Sequence, residues 1–292
     1  MRSPHLALLG VLCLAALTTS SGCSSPPEQV GADFWAGPKG TWQVVHREDF
    51  EGMSGSSADA SVWNELVTGS PYNKELEYYT NRPSNLMLDG NGHLVITAQS
   101  EFFVDATGVT STQPYTSGRV DTQHHWETTY GRIEARIKLP AGKGLWPAFW
   151  LLGSNIDSVH WPACGEVDIL EMAGHDPTTI AGSLHAVGYA ENSPVHAEYT
   201  LPSGTFADDF HVFAFEWAAD GMRWLVDEHP YAWRTPEGMK NIYLNWQFDQ
   251  PMFVILNLAV GGIYDGDPNA QTQFPAQMLV DYVQISTLVP AP

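Results

Sequence analysis

The chain has 292 residues, with 13 Lys and Arg against 33 Asp and Glu, a formal charge of −20, and 43% hydrophobic and 12% aromatic content. Such a field repels nucleic acid, anionic lipid and sulfated polysaccharide, so a neutral partner is expected and nucleic acid is excluded. The apolar and aromatic content rules out a disordered main body and suits one domain of about 250 residues, within reach of a sandwich or barrel.

Residues 1–23 begin with Arg2, run through the apolar stretch Leu6 to Leu17 and end on Ser20-Ser21-Gly22 before Cys23. This is the pattern of a signal peptide, too short for a structural membrane span. A Cys after small residues resembles the lipobox of bacterial lipoproteins, in which that Cys is acylated, although Ser20 stands where Leu is usual. A lipoprotein-type signal with a lipid anchor at Cys23 is therefore expected, and an ordinary cleaved signal in which Cys23 has no role is the other reading. Residues 24–34, opening on Ser24-Ser25-Pro26-Pro27, read as a flexible tether, and residues 35–289 as the folded domain. Export places that domain outside the cytoplasm, secreted or anchored at the membrane.

Runs rich in β-branched and aromatic residues follow at short intervals, separated by Gly, Pro, Asn and Asp. They include Trp42 to His46, His93 to Ala98, Gly131 to Leu139 and Glu166 to Glu171. Further along are Phe210 to Trp217, Met222 to Asp227, Met252 to Leu258 and Val280 to Ser286. These are strands by length, composition and flanking turns. In Arg132-Ile133-Glu134-Ala135-Arg136-Ile137-Lys138-Leu139 polar and apolar residues alternate, which predicts one buried face and one wet face. Asp89-Gly90-Asn91-Gly92 reads as a hairpin turn. No long window keeps a helical period, and 26 Gly plus 20 Pro punctuate the chain, so the fold class is all-β, a two-sheet sandwich rather than a closed barrel. Cys13 and Cys23 belong to the export segment. Cys164 is then the domain's single thiol, expected to be a buried structural group rather than a nucleophile.

The chemistry concentrates in Gly165-Glu166-Val167-Asp168-Ile169-Leu170-Glu171-Met172. In a regular strand Glu166 and Asp168 share a face while Glu171, three residues on, points to the other side. A β-bulge at Ile169 or Leu170 would bring all three acids to one face, roughly 6–7 Å apart by strand rise. Paired carboxyls about 5–5.5 Å apart suit a retaining glycosidase, one attacking the anomeric carbon and the other protonating the leaving oxygen. Like charges so close cannot all ionise, which keeps one proton near neutral pH. Asp168, between them, is placed to modulate the nucleophile. The rings of Trp146, Trp150 and Trp161 just before this strand are of a kind that stacks on sugars, although for Trp150 a core position is an equal reading.

The segment Trp161-Pro162-Ala163-Cys164-Gly165-Glu166-Val167-Asp168-Ile169-Leu170-Glu171-Met172 resembles the signature of glycoside hydrolase family 16, in the bulged form typical of laminarinases. The blocks from Asn73 to Thr80, Tyr115 to Arg119, Tyr130 to Arg136, Leu256 to Gly262 and Val280 to Val283 continue the likeness over roughly residues 42–286. The resemblance implies a β-jelly-roll with an open concave cleft and an endo-1,3-β-glucanase acting on β-glucans such as laminarin with retention. It implies Glu166 as nucleophile, Glu171 as acid/base and Asp168 as the assisting carboxylate, with Asn85, Arg119, Trp146, Trp161 and His185 lining sugar subsites. It implies no cofactor for catalysis, a monomer, and a structural calcium ion held by Asp49, the Gly92 carbonyl and Asp281.

One departure stands out: Ile263-Tyr264-Asp265 follows Gly261-Gly262, where laminarinases often have Asn-Trp-Pro, and this leaves one edge of the cleft undetermined. Asp265, Asp267 and Asn269 read as a plain turn, because a calcium loop needs a Glu at its twelfth position. The runner-up activity is a β-1,3-1,4-glucanase, with agarase or carrageenase behind it. A glucan-binding protein that has lost catalysis is the rival from another class, disfavoured because both outer acids are present.

Overall fold

The computed structural model describes residues 34–69, 72–190 and 195–291. The signal segment with Cys23, and the tether up to residue 33, lie outside the described residues. Among the described residues, the β-branched and aromatic runs form eighteen strands. In chain order these begin with β1 (Gly40–Glu48), β2 (Asn64–Glu65), β3 (Glu77–Tyr79), β4 (Leu86–Leu88), β5 (Leu94–Ala98) and β6 (Tyr115–Ser117). Next come β7 (Arg119–Asp121), β8 (Glu127–Thr128), β9 (Gly131–Lys138), β10 (Leu145–Gly153), β11 (Glu166–Glu171) and β12 (Thr179–His185). The last are β13 (Val195–Thr200), β14 (His211–Ala218), β15 (Gly221–Val226), β16 (His229–Arg234), β17 (Met252–Val260) and β18 (Ala276–Pro290). Three short helices lie between strands: α1 (Ile156–Val159), α2 (Pro236–Asn241) and α3 (Gly262–Asp265).

Two open antiparallel sheets of eight strands result. One is ordered β16-β15-β14-β9-β18-β5-β4 with β1 also on β18, and the other β13-β12-β11-β10-β17-β7-β2 with β8 also on β17. This is the two-sheet jelly roll expected from the sequence. The Asp89–Gly92 turn joins β4 to β5, which pair antiparallel as a hairpin. Between the sheets lies one apolar core, to which Ile133, Ile137, Phe213, Phe215 and Trp217 contribute from the first sheet and Phe149, Leu151, Val167, Leu184 and Leu256 from the second.

The alternation in β9 holds, but its polar face is not wet as predicted. Arg132, Glu134 and Glu216 on that face are all buried. Arg132 donates from Nε to Glu134 at 2.6 Å and from Nη1 to Glu216 at 2.9 Å, and Arg223 closes the other side of Glu216. The N-terminal stretch covers this network: the Trp42 indole donates to Glu216, and Arg223 donates to the Ala36 carbonyl. Alternation reports which residues are polar, and a neighbouring segment decides whether that face meets water. Charges buried in this way persist because each is paired.

The second sheet carries the acid strand, and its stiffness under the acids comes from the core. Phe149 is 0% exposed and stands opposite Leu170 of β11 and Leu256 of β17. Replacing it leaves a cavity beneath β11. Phe149→Ala is expected to cost about 3–5 kcal/mol, seen as a lower urea midpoint at unchanged slope; a cost under about 1 kcal/mol would mean the sheets close over the gap.

Candidate active site

β11 pairs with β10 on one side and β12 on the other, and both pairings slip by one residue at the same place. Against β12, Asp168 stands opposite Ser183 and Glu171 opposite Ala181, so three steps on β11 match two on its neighbour. Against β10, Trp150 faces Asp168 while Phe149 faces Leu170, which leaves Ile169 as the extra residue. The bulge therefore sits at Ile169. Both Ile169 and Leu170 are buried in the core. With the parity reset, Glu166, Asp168 and Glu171 share the outer face with the residues opposite them: Leu152, Trp150 and Ala148 on β10, and His185, Ser183 and Ala181 on β12.

Each outer acid holds one indole N–H. Trp146 Nε1 donates to Glu171 Oε1 at 2.9 Å, and Trp161 Nε1 donates to Glu166 Oε2 at 2.9 Å. His185 Nε2 lies 3.0 Å from Asp168 Oδ2 and 3.8 Å from Glu166 Oε1. The first is an ion-pair distance without hydrogen-bond alignment, since Asp168 Oδ2 has no hydrogen-bond partner. Burial pushes all three carboxyls up to about 8, and their mutual repulsion adds to it: the Asp168 charge acts on both glutamates. Three acids in so small a space share protons rather than ionise together.

The remaining predicted subsite residues divide. Arg119 faces this surface from β7, opposite Asn257 of β17, with its guanidinium 4.9 Å from the Trp150 ring centre. Asn85 does not reach it. It is fully buried, and its carboxamide is saturated: Oδ1 accepts from Thr80 and Arg82, and Nδ2 donates to the Thr97 carbonyl and the Thr116 hydroxyl. Asn85 thus supports the loop rather than offering a free amide to a sugar.

The carboxylates of the expected calcium site are already committed to cationic partners. Gly92 does pack against the Asp49 carbonyl oxygen and the Glu51 carboxylate. The Asp49 carboxylate, however, is held by Arg47, and that of Asp281 by Arg136 at 2.6 Å. Guanidinium charge at both acids opposes a divalent cation there. Among the described residues, the side chains that come close enough to share an ion are Glu166, Asp168 and His185. Cys164 is a free buried thiol packed with Leu152, Phe253 and Ile255, as the sequence suggested.

Sequence reasoning left Trp150 open between core and cleft, and it did not single out Glu75, Glu77 or Tyr264 as neighbours of the site. Trp150 is partly exposed on the acid face and donates from Nε1 to Asn257 Oδ1 at 2.7 Å. Its separation of four residues from Trp146 on one strand was the available signal. Glu77 is fully buried and accepts from the Val260 N–H, while Glu75 beside it is pushed up to about 9 by burial and the Glu77 charge. Tyr264 lies against Trp146, ring centres 5.1 Å apart.

Residues 74–284 match the family model described as glycosyl hydrolases family 16. The chain belongs to glycoside hydrolase family 16. It is 36% identical over 255 residues to a β-glucanase of Rhodothermus marinus, covering 84% of this chain and 85% of that protein. Among solved structures, this family 16 chain is similar to an endo-β-1,3-glucanase of Pyrococcus furiosus, with a TM-score of 0.80 and 44% identity over 86% of this chain and 97% of that one. It is also similar to the laminarinase catalytic domain of Thermotoga maritima, with a TM-score of 0.78 and 42% identity over 85% of this chain and 99% of that one.

The crowded acids of this family 16 site have a cost that depends on pH. In the fold the three are pushed up together, to about 8, from ordinary values of 4.5 for the glutamates and 3.8 for Asp168, so the cluster as a whole holds protons that free carboxyls would have lost. The folded chain therefore binds more protons than the unfolded chain between those limits, and stability falls as pH rises through them. Glu171→Gln removes one such group. Its melting temperature should match wild type at about pH 4 and exceed it by about 2–4 °C near pH 8–9; a lower value than wild type at the alkaline end would contradict the assigned direction.

Proposed function

We propose that the chain is a retaining endo-hydrolase of β-1,3-glucosidic bonds in β-glucans such as laminarin. The observation that carries the reading is the bulge at Ile169, which sets two carboxyls on one face, each with an indole N–H and with a third acid between them. The family membership supports the chemistry, and the relatives' β-1,3-glucanase activities support the linkage.

The proton distribution follows from the neighbours. Glu166 has an indole donor and the His185 imidazole within 3.8 Å, both favouring its ionised form. Glu171 has the indole alone as hydrogen-bond donor among the described residues, so the shared proton rests there. Glu166 then attacks the anomeric carbon while Glu171 gives its proton to the departing glycosidic oxygen. The resulting ester between Glu166 and the sugar is broken by water, from which Glu171 now takes a proton, and the β configuration is restored. A negative charge on Asp168 raises the proton affinity of Glu166, so Glu166 is freed as nucleophile when Asp168 keeps its own proton and the His185 imidazole offsets the remaining repulsion. No cofactor is needed for these steps.

The remaining parts of the reading concern placement. The net charge of −20 suits a neutral glucan. The acids, tryptophans and His185 all come from one chain, which is compatible with action as a monomer. Export through residues 1–23 and acylation of Cys23 would hold the enzyme at the outer side of the membrane, and Cys23→Ala should then move it from the membrane to the soluble extracytoplasmic fraction. Recovery of the variant in the membrane fraction at the wild-type level would overturn the anchor.

The test of the activity is direct. Glu166→Gln is expected to lower hydrolysis of laminarin by at least about 10⁴-fold while circular dichroism shows the wild-type fold, and early products of the wild-type enzyme should be β anomers by NMR. Several per cent residual activity in the variant, or α anomers, would sink the mechanism. Release of sugar from barley 1,3-1,4-glucan without action on laminarin or curdlan would instead move the linkage to the β-1,3-1,4 alternative.

A further inference from the structure

After β17 the chain turns sharply at Gly261 and Gly262, whose φ angles of 79° and 87° side-chain-bearing residues rarely adopt, and enters α3. This is where the sequence departs from Asn-Trp-Pro. Asp265, at the end of α3, has 0% of its side chain exposed. Its partners come from two other loops. The Gly144 N–H and the Lys143 ammonium donate to it from the loop before β10, and His175 Nδ1 meets it from the loop after β11. Backbone bonds tie the same three loops: Gly142 to Gly174, Gly174 to Leu145 and Gly261 to Gly144, each 2.8 Å from N to O.

A wholly buried carboxylate with donors from two separate loops clamps them together, because releasing any one loop strands a charge away from water. The clamp sits at the end of the sheet where Glu171 closes β11. One residue before Asp265, Tyr264 lies on the Trp146 ring at 5.1 Å with planes at 32°. Across the turn, a Cβ at Gly262 would come within 3.0 Å of the same ring, so Trp146 is confined from this side too. Trp146 in turn supplies the indole N–H to Glu171.

We propose that Asp265 is a positioning residue for the hydrolysis: it locks three loops so that Tyr264 braces Trp146, and the braced indole fixes the Glu171 carboxyl. The proposal rests on Glu171 being the acid/base. The indole N–H favours the ionised form of Glu171, so an indole free to swing away leaves that carboxyl holding its proton to higher pH.

The experiment compares Asp265→Asn, Tyr264→Ala and Tyr264→Phe on laminarin across pH. Tyr264→Phe keeps the ring and should behave as wild type. Tyr264→Ala and Asp265→Asn should each lower kcat by about tenfold with KM within about twofold, and move the alkaline limb of kcat/KM upward by about half a pH unit. Tyr264 is 39% exposed, so its alanine variant folds even where Asp265→Asn does not. A wild-type alkaline limb in Tyr264→Ala, or a raised KM at unchanged kcat, overturns the clamp alone. A Glu171→Gln enzyme whose residual activity keeps the wild-type alkaline limb overturns the acid/base assignment and the clamp with it.

Discussion

The active face depends on a single extra residue. Strand geometry alternates side chains with period two, and a spacing of five between Glu166 and Glu171 would set them on opposite faces of any regular strand. Ile169 absorbs the mismatch by standing unpaired against both neighbours at once, so that β10 and β12 each see the same one-residue slip. Matched on both sides, the bulge shifts the acid without breaking the ladder, and the displaced Ile169 and Leu170 side chains find room in the core. The price of the geometry is local, and the gain is that the outer acids come to face one groove.

How much of this was legible in the sequence differs by level. The spacing from Glu166 to Glu171 required a bulge and narrowed it to two residues; only the pairing of Phe149 with Leu170 chose Ile169. Strands with clear alternation, such as β9, were readable, whereas β10 was not, since Leu145 to Gly153 is apolar on both parities and carries a Pro. One face meets the core and the other carries Trp146, Ala148, Trp150 and Leu152 on the acid side, where apolar residues replace polar ones, so no period marks it. Asn85 was carried over from the family motif by position. Its burial follows from Thr80, Arg82, Thr97 and Thr116 closing around it, a set scattered over 37 positions that spacing cannot assemble. Likewise Asp265 read as a turn acid because its partners Lys143 and His175 lie about a hundred positions away in sequence.

The two sheets treat charge in opposite ways. On the first sheet, Arg132 and Arg223 neutralise Glu134 and Glu216 in a closed network beneath the N-terminal stretch, and the arrangement is inert because each acid is met by a guanidinium. On the second sheet, the acids of β11 meet indoles, an imidazole and one another. The Arg119 guanidinium on that face is spent on the Trp150 ring and on the charge of Glu75 instead.

That difference decides what the acids can do. An arginine beside Glu171 would drop its proton affinity by one to three pH units, below the range in which a glycosidic oxygen can be protonated near neutrality. An indole N–H orients the carboxyl with a neutral dipole and takes little from its proton affinity, leaving burial and the Asp168 charge to hold it near 8. The same reasoning explains why Trp161 rather than a cation steadies Glu166: a fixed positive charge would stabilise the free carboxylate more than the ester it must form. With only 13 cationic side chains in the whole chain, and the guanidinium groups largely committed to other acids, the site keeps its protons because the protein withholds positive charge from it.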